Sequence, residues 1–552
     1  MNEPNGLLQK ADERVTKKSR AFKFAFVSLC ACNFISILDT VIIASALPAI
    51  AHALNATSNQ AYWCGTGFLF AEAALQPVYG ALSEIFGRKI CLIIALAIFT
   101  LGSLLCAVAQ NISWLIAARV VQGLGAGGIS VLVTMIVADM VALRERSKYI
   151  GIMALGSAVA LVSGYVLGAA IAGRSTWRLV FYINLPICIP SLLGIMKFLN
   201  LKPTTLSVKE NIRRADWLGM FILTASMISL LFGVTSGGVL YPWRSANVLA
   251  PLIIGGIGTV LFFVFEGIIA KNPMMPLRLF GNRTSLSAYF TSFVLGLTLW
   301  AMEYYLILYF LVTRQKSLLG AAVDILPGTA TVPVAAAVAG FVIASTHHFR
   351  NINSIALILL TVGLGLTSLL RPNSNKGVQF GFQILYGIGG GILFPGKQIA
   401  VQASQADEDV PMGTALTTFT ISLGEAFGVA IGGSIFQNTW DSRVASSHRA
   451  GLIPTSYILP HEQAEQAGSL IKGFPDDVQV VYRRIMSECI NAIFIVLAVF
   501  AALAALGSFV SKNISLDRDS TSAQEFVEVS KVEALELAVA TTGSGVVLKS
   551  AE

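Results

Sequence analysis

Long apolar stretches, each of about 20 residues and separated by short polar segments, fill most of this sequence. A helix of that length crosses the hydrocarbon core of a bilayer, whereas the strands of a membrane β-barrel have about ten residues of alternating hydrophobicity. The stretches here are continuous and rich in Leu, Ala, Ile and Gly. We therefore predict fourteen membrane-spanning α-helices, at approximately 25–50, 62–82, 90–109, 113–138, 148–172, 179–199, 217–235, 248–269, 285–312, 319–345, 353–370, 378–403, 412–436 and 489–511.

The composition agrees with a membrane protein. Only 12% of the residues are charged and 55% are hydrophobic, whereas an ordinary soluble chain has about 25% charged residues. The net charge of +8 could suit a nucleic acid, but the basic residues are concentrated in alternate loops, for example Arg88 and Lys89. This distribution follows the positive-inside rule. We expect no nucleic-acid partner, and we place both termini in the cytoplasm.

The spacing of the predicted helices divides the chain into six, two and six spans. We predict a cytoplasmic N-terminal tail at 1–24, a first six-helix bundle at 25–200, two linker helices with flanking cytoplasmic loops at 201–284, a second six-helix bundle at 285–511 and a cytoplasmic tail at 512–552. A polar stretch at 437–488 interrupts the second bundle and contains three prolines. We predict that it is a long extracellular loop, either inert or forming a cap.

Ionisable side chains inside a membrane are costly unless they are paired or face a wet cavity, so each one is a candidate functional residue. The predicted spans contain Asp39, Glu72, Arg119, Asp139, Glu266, Glu303, Lys397 and Glu425. Asp139, Glu266 and Lys397 lie near predicted span ends, where their charges could reach the interface. Glu72, Glu303 and Glu425 are candidates for an acidic substrate cavity. Aromatic residues could complete that cavity, although each could equally be a packing residue; they include Tyr304, Tyr305 and Phe419.

Other kinds of membrane protein fit less well. The histidines all lie outside the predicted spans and the cysteines show no paired spacing, so we expect no metal site. An enzyme would need a clustered nucleophile and base, and a channel would need a filter-like re-entrant loop. The sequence indicates neither arrangement. We therefore predict no catalytic residues and no cofactor.

Two segments combine charged residues with glycines. GALSEIFGRK, from Gly80 to Lys89, joins the second and third spans; its Gly87 permits a tight turn, and its Glu84 and Arg88 can pair across helix ends. In RVVQGLGAGG of the fourth span, Arg119 and Gln122 share one helix face, and Gly123 and Gly127 permit close helix packing. A further small-residue pair, Gly164 and Gly168, lies in the fifth span.

These motifs resemble those of a known family. GALSEIFGRK is similar to the signature G-x-L-S/A-D/E-x-x-G-R-K of the major facilitator superfamily, and RVVQGLGAGG resembles its second signature. LDTVIIASALP, from Leu38 to Pro48, resembles a signature of the fourteen-span drug:proton antiporters, with Val41 replacing a Thr. TWRLVFYINLP, from Thr176 to Pro186, is similar to another marker of that subgroup, and LGEAFGVAIGG resembles fungal efflux members.

The resemblance implies the major facilitator fold, in which two six-helix bundles surround a central cavity. It implies a monomer in the lipid bilayer that exports a small organic compound, such as a toxin, drug or secondary metabolite, with a proton gradient as the energy source. Proton coupling would involve Asp39, Arg119 and Gln122, although Arg119 could instead be a structural partner of a neighbouring acid. Residues of the conformational signature would be Gly80, Glu84, Gly87, Arg88, Lys89 and Asp139.

One departure from the antiporter pattern weakens the prediction of export. The fifth span reads Gly164-Tyr165 where that pattern has Gly-Pro, so a helix kink is missing. An importer of amino acids or iron chelates, at the plasma or the vacuolar membrane, remains an alternative. A sensor that transports nothing is an alternative of another class. The glycosylation triplets that begin at Asn55 and Asn111 lie in predicted extracellular loops.

Overall fold

The computed structural model describes residues 19–56, 58–202, 210, 212–213, 215–238, 241–460, 464 and 467–516. In these residues the chain is mostly α-helical, and the longest helix has 40 residues. The helices are α1 (Arg20–Ala53), α2 (Ser58–Phe86), α3 (Arg88–Ala107), α4 (Ile112–Met140), α5 (Leu143–Arg174), α6 (Leu179–Tyr182), α7 (Leu185–Phe198), α8 (Trp217–Ser236), α9 (Ala246–Ile268), α10 (Arg283–Leu308), α11 (Leu318–Thr346), α12 (Arg350–Thr367), α13 (Lys376–Ser404), α14 (Val410–Arg449), α15 (Ala467–Leu470) and α16 (Asp476–Ser508).

The predicted class of an all-helical, multi-pass membrane protein is confirmed. Thirteen helical segments among the described residues are long and apolar enough to cross a membrane, with α6 and α7 together forming one of them. A fourteenth predicted span corresponds to α2, which has 29 residues. Its lower hydropathy follows from polar side chains along its length, including Glu72, Gln76 and Glu84.

Apolar side chains on the outer helices point away from the protein. On α9, Ile254 is 63% exposed, Val260 62% and Ile268 81%. In water such a face would be unstable, but lipid tails are as apolar as these side chains. The outer surface of α9 is therefore suited to direct contact with lipid.

The first and last groups of six spans meet along several helix pairs, which include α4 with α14 and α5 with α13. Helix α5 packs against α11, and α2 packs against α14. A Cβ added at Gly151 on α5 would lie 3.0 Å from the backbone of Ala337 on α11, so the two backbones nearly touch. Farther along, the Gln76 amide donates a hydrogen bond of 3.0 Å to the Ser422 hydroxyl. The division into bundles at 25–200 and 285–511 stays a prediction.

The predicted long loop at 437–488 is wrong in its extent. Helix α14 continues to Arg449 and α16 begins at Asp476, so both ends of that stretch are helical. The helices extend because they carry their own apolar core, which the polar composition of the stretch concealed. The Trp440 ring stacks on the Phe436 ring with a centroid distance of 5.8 Å and on the Tyr482 ring at 5.6 Å. Trp440 is fully buried.

Parts of both predicted tails lie outside the described residues, namely 1–18 and 517–552. Their cytoplasmic placement stays a prediction.

Candidate functional site

Asp39 of α1 lies at the centre of a buried polar network. Its carboxylate is fully buried and accepts three hydrogen bonds from neighbouring helices. The Arg119 guanidinium donates to Oδ2 at 2.5 Å, the Gln122 amide donates to Oδ1 at 2.8 Å, and the Asn184 amide donates to Oδ1 at 2.6 Å. The structure thus brings together the residues predicted for proton coupling, and it shows that Asp39 and Arg119 form an ion pair.

Arg119 has further partners besides Asp39. The same guanidinium group donates to Gln122 Oε1 at 2.7 Å and to the carbonyl oxygen of Cys64 at 3.3 Å. It also lies over the Phe68 ring, 4.1 Å from the centroid, where the negative face of the ring attracts a cation. A buried guanidinium is stable only with such partners. One carboxylate, two neutral oxygens and two aromatic faces therefore hold this charge.

The glycines of α4 allow this helix to pack closely against α2 beside the network. A Cβ on Gly123 would collide with the carbonyl oxygen of Phe68, and one on Gly127 would lie 2.5 Å from the carbonyl oxygen of Glu72. Only glycine allows α4 to approach the α2 backbone this closely. The close approach positions Arg119 between α1 and α2, where it can reach Asp39.

Sequence reasoning missed two members of the network, Asn184 and Ser103. Ser103 on α3 accepts hydrogen bonds from the Gln122 amide at 2.7 Å and from the Asn184 amide at 3.1 Å. Asn184 lies at the break between α6 and α7, two residues before Pro186. It belongs to the string TWRLVFYINLP. An amide side chain within the largely apolar run LVFYINLP could have marked it as a candidate. Ser103 offered no such signal, because serine is common in membrane helices.

A separate cavity of about 60 Å³ lies between α5, α10, α11, α13 and α14. Two acidic residues, Glu303 and Glu425, line it together with the aromatic residues Trp300 and Phe394. Leu161 of α5 contributes to the same wall, so helices from both groups of six spans enclose the cavity. The remaining lining is apolar. Such a surface suits an apolar organic molecule with a few polar groups.

Four predicted cavity residues are not in the lining of this cavity. Successive residues point about 100° apart on a helix, so Tyr304 and Tyr305 cannot share the direction of Glu303. Tyr304 is 42% exposed; Tyr305 is buried, and its hydroxyl donates to the carbonyl oxygen of Val429 at 3.0 Å. Phe419 is buried in a hydrophobic core. Glu72 accepts a hydrogen bond of 2.7 Å from Ser130.

The acids near the cavity interact with each other and with one lysine. Coulomb interactions connect Glu425 with Glu72, Glu303 and Lys397. The prediction that the charge of Lys397 reaches the membrane interface is wrong, since the residue is only 1% exposed. A lysine on a helix extends toward the helix N-terminus, and here that direction leads along the Phe394 ring. Lys397 therefore belongs to the interior.

Glu266 and Asp139 are also buried instead of reaching the interface. Glu266 accepts hydrogen bonds from the backbone N–H groups of Met274 at 3.2 Å and Met275 at 3.1 Å. It thereby fastens the segment after α9 to that helix. Asp139, at the end of α4, forms an ion pair with Arg88, at the start of α3. Glu266 and Asp139 thus each have a nearby bonding partner inside the protein, which their positions in the predicted spans did not reveal.

The remaining residues of the conformational signature lie on the same segment as Arg88, from Gly80 to Lys89. Gly87 has a φ of +88°, which favours glycine, and it forms the sharp turn between α2 and α3. The Lys89 ammonium donates to the carbonyl oxygen of Met196 at 2.9 Å. Glu84 is exposed. A Cβ on Gly80 would lie 3.1 Å from the Cβ of Ala415 on α14, so this segment contacts the last group of spans.

The other predicted positions have plain structural settings. Gly164 packs against Val41 of α1, and Gly168 is buried. Asn55 forms part of the turn after α1, and the third residue of its triplet is outside the described residues. Asn111 caps α4 by accepting a hydrogen bond of 2.8 Å from the N–H of Trp114. Glycosylation at either asparagine stays a prediction.

In the described part of the chain, no three His, Cys, Asp or Glu residues cluster as metal ligands.

Comparison with known proteins bears on this arrangement. The sequence model of the Major Facilitator Superfamily matches residues 29–429. The MFS transporter L2 of Phoma sp. is 34% identical over 517 residues, which cover 93% of this chain and 85% of that protein. The efflux pump FUS6 of Gibberella moniliformis is 38% identical over 425 residues, 77% of this chain and 75% of the pump. The MFS efflux transporter aclA of Aspergillus oryzae is 34% identical over 442 residues, with coverages of 79% and 80%.

Solved structures show the same fold at low sequence identity. The proton:xylose symporter XylE superimposes with a TM-score of 0.56 at 14% identity, covering 94% of this chain and 100% of the symporter chain. The human organic anion transporter MFSD10 gives a TM-score of 0.54 at 14% identity, with coverages of 88% and 100%. The family match spans most of the chain, and the three relatives are aligned over 77%, 79% and 93% of it, so this protein belongs to the major facilitator superfamily of membrane transporters.

Proposed function

We propose that this protein is a proton-coupled antiporter that exports small organic compounds. The observation that carries the proposal is the buried Asp39–Arg119 network, because a carboxylate enclosed by hydrogen-bond donors in a membrane is a functional group by default. The fungal relatives support the direction of transport, since FUS6 and aclA are named as an efflux pump and an efflux transporter.

Asp39 binds and releases the proton in this mechanism. In the structure the carboxylate has no access to water, because Asp39 is fully buried. Proton exchange therefore requires a second conformation in which the helices around α1 separate. When Asp39 is neutral, Arg119 keeps its bonds to Gln122 and Cys64 and its contact with Phe68. Protonation can therefore remove the negative charge of Asp39 without leaving the Arg119 guanidinium without partners.

The cavity at Glu303 and Glu425 is the proposed substrate site. Its volume of about 60 Å³ is far below the roughly 300–1,000 Å³ of pockets that hold drug-sized ligands. A drug-sized substrate therefore requires a second conformation, in which the two groups of spans separate and the cavity widens. The two carboxyl groups and the Trp300 ring favour compounds that carry hydrogen-bond donors or a positive charge on an apolar body.

The remaining features follow the same proposal. The protein acts as a monomer at the plasma membrane with both termini in the cytoplasm, the proton gradient supplies the energy, and no cofactor takes part. Export and import use the same fold, so flux direction separates export from the import of amino acids or iron chelates.

The test is transport of a dye and drug panel in sealed vesicles with an imposed proton gradient. We compare wild type with Asp39→Asn at matched protein levels, and we use Asp477→Asn as a control because Asp477 is an exposed carboxylate at the start of α16. We expect wild type and the control to move a compound against its gradient, and Asp39→Asn to retain only downhill exchange. Coupled transport by Asp39→Asn would move the coupling role to Glu72, Glu303 or Glu425. Inward flux alone would favour the importer.

A further inference from the structure

The Asn184 side chain has one end paired and the other end unpaired. Its Nδ2 donates to Asp39 Oδ1 at 2.6 Å and to Ser103 Oγ at 3.1 Å. Its Oδ1 is buried and has no hydrogen-bond donor among the described residues. Buried acceptors without a partner are rare in folded proteins and call for an explanation.

The protonation state of Asp39 changes what the network requires. As a carboxylate, Asp39 only accepts, and its three neighbours in the network all donate N–H groups to it. As a carboxylic acid, Asp39 has one O–H group, which needs an acceptor. Gln122 Oε1 already accepts from Arg119 and from the Cys106 thiol. Ser103 Oγ already accepts from two amides. The unoccupied acceptor beside Asp39 is Asn184 Oδ1.

We propose that Asn184 is a positioning residue for the proton cycle: its side-chain amide turns over when Asp39 is protonated, so that Oδ1 accepts the new Asp39 O–H. The inference rests on the proposed function, in which Asp39 takes up a proton. The proton comes from water on the open side and forms an O–H bond at Asp39 Oδ1. Within Asn184 no covalent bond forms or breaks, and only hydrogen bonds are exchanged.

The local structure permits this rotation. The Asn184 backbone is fixed, because its N–H donates to the Phe181 carbonyl at 3.2 Å and its carbonyl accepts from the Cys188 N–H at 2.9 Å. The amide itself rotates about a terminal sp³–sp² bond, which has a broad energy profile. Rotation exchanges Nδ2 and Oδ1 while the backbone break between α6 and α7 stays in place.

The two orientations have equal hydrogen-bond counts when the Ser103 hydroxyl turns to donate. Nδ2 donates to Asp39 and Ser103 in the charged state, and Oδ1 accepts from the Asp39 O–H and the Ser103 O–H in the neutral state. With charged Asp39 the amide oxygen has no donor. With neutral Asp39 the amide nitrogen occupies that position and has no acceptor. Ser103 still accepts from Gln122 in both cases. Since each state leaves one end of the amide without a partner, the number of hydrogen bonds at Asn184 favours neither state. A carrier that must both bind and release its proton needs such a balance.

Infrared difference spectroscopy of the full-length protein in lipid vesicles tests the inference. An acid-minus-alkaline spectrum contains the carboxyl C=O stretch of Asp39, identified by its absence in Asp39→Asn. We expect this band to move to higher frequency in Asn184→Leu, because the acid loses its acceptor. Ser292→Ala, the matched control, removes a buried hydroxyl outside the network, which donates to the Ala288 carbonyl of its own helix α10, and it should leave the band unchanged. A band that stays in place in Asn184→Leu, or that moves equally in Ser292→Ala, would overturn the inference.

A second measurement needs no substitution and applies even if Asn184→Leu does not fold. In wild type labelled with ¹³C at the asparagine side-chain carbonyl, one amide band should move to lower frequency with the same pH midpoint as the Asp39 carboxyl band. If no labelled band follows Asp39, the inference fails while the proposed function stands. If wild type has no Asp39 carboxyl band at any pH, Asp39 is not the proton carrier and the proposed function fails first.

Discussion

Arg119 illustrates the cost of burying charge at the scale of one residue. It and Asp39 are almost completely inaccessible, so removing the cation leaves an uncompensated carboxylate in a dry site. We predict that Arg119→Gln lowers the free energy of unfolding by about 3–5 kcal/mol. Adding Asp39→Asn to that variant should recover part of the loss, because no buried charge then remains. Thermal melting of the detergent-solubilised protein measures both effects.

The control for this prediction is an exposed ion pair. Arg484 and Glu488 lie one turn apart on α16, and the Arg484 side chain is 79% exposed. Solvent screens such a pair, so Arg484→Gln should change stability by roughly 0.3–0.5 kcal/mol. If Arg484→Gln lowers the free energy of unfolding as much as Arg119→Gln, burial does not determine how strongly the Asp39 network stabilises the protein.

At the scale of elements, α10 and α14 cross with their backbones in contact. A Cβ on Gly428 would collide with the carbonyl oxygen of Leu297, and Gly424 meets Phe293 in the same way. We predict that Gly428→Val forces the two helices apart and abolishes transport, with a loss of stability of about 1–3 kcal/mol from overpacking. Gly365→Val on α12 is the control, since a side chain there meets open space. Equal behaviour of the two variants in flux and melting assays would refute this packing argument.

The extensions of α14 and α16 form a second element with its own core. Trp440 is fully buried, stacks on Phe436 and Tyr482, and donates its indole N–H to the Leu459 carbonyl at 3.1 Å. We predict that Trp440→Ala costs about 3–5 kcal/mol of stability. Protease cleavage between residues 450 and 475 should then become faster than in wild type. An unchanged cleavage rate would show that the aromatic stack does not hold this segment.

At the scale of the whole molecule, α2 and α14 must separate at Gly80 if the two groups of spans move apart during transport. A Cβ at position 80 would lie 3.1 Å from that of Ala415, so a small outward shift of the two helices would bring the pair into the range of roughly 3.5–4.5 Å found in disulfides. We predict that Gly80→Cys with Ala415→Cys, in a background without the native cysteines, loses transport on oxidation and regains it on reduction. Each single variant is the control. Full activity of the oxidised pair would exclude separation at this contact.

The sequence was sufficient to predict the class of protein and its order of spans. An apolar stretch long enough to cross a bilayer must fold as an α-helix, because each backbone N–H and C=O group then forms its hydrogen bond within the same span. Motifs such as GALSEIFGRK and the intramembrane Asp39 also indicated the family and one site. These features are local, so they can be read along the chain.

Only the tertiary structure decided which polar groups meet. Asp39 lies on α1, Ser103 on α3 and Asn184 at the break between α6 and α7, and no sequence spacing relates residues 39, 103 and 184. The same holds for the burial of Lys397, for the absence of Tyr304 and Tyr305 from the lining of the cavity, and for the aromatic core that extends α14 and α16. Each depends on the rotation and depth of packed helices, which follow from contacts between side chains far apart in the chain.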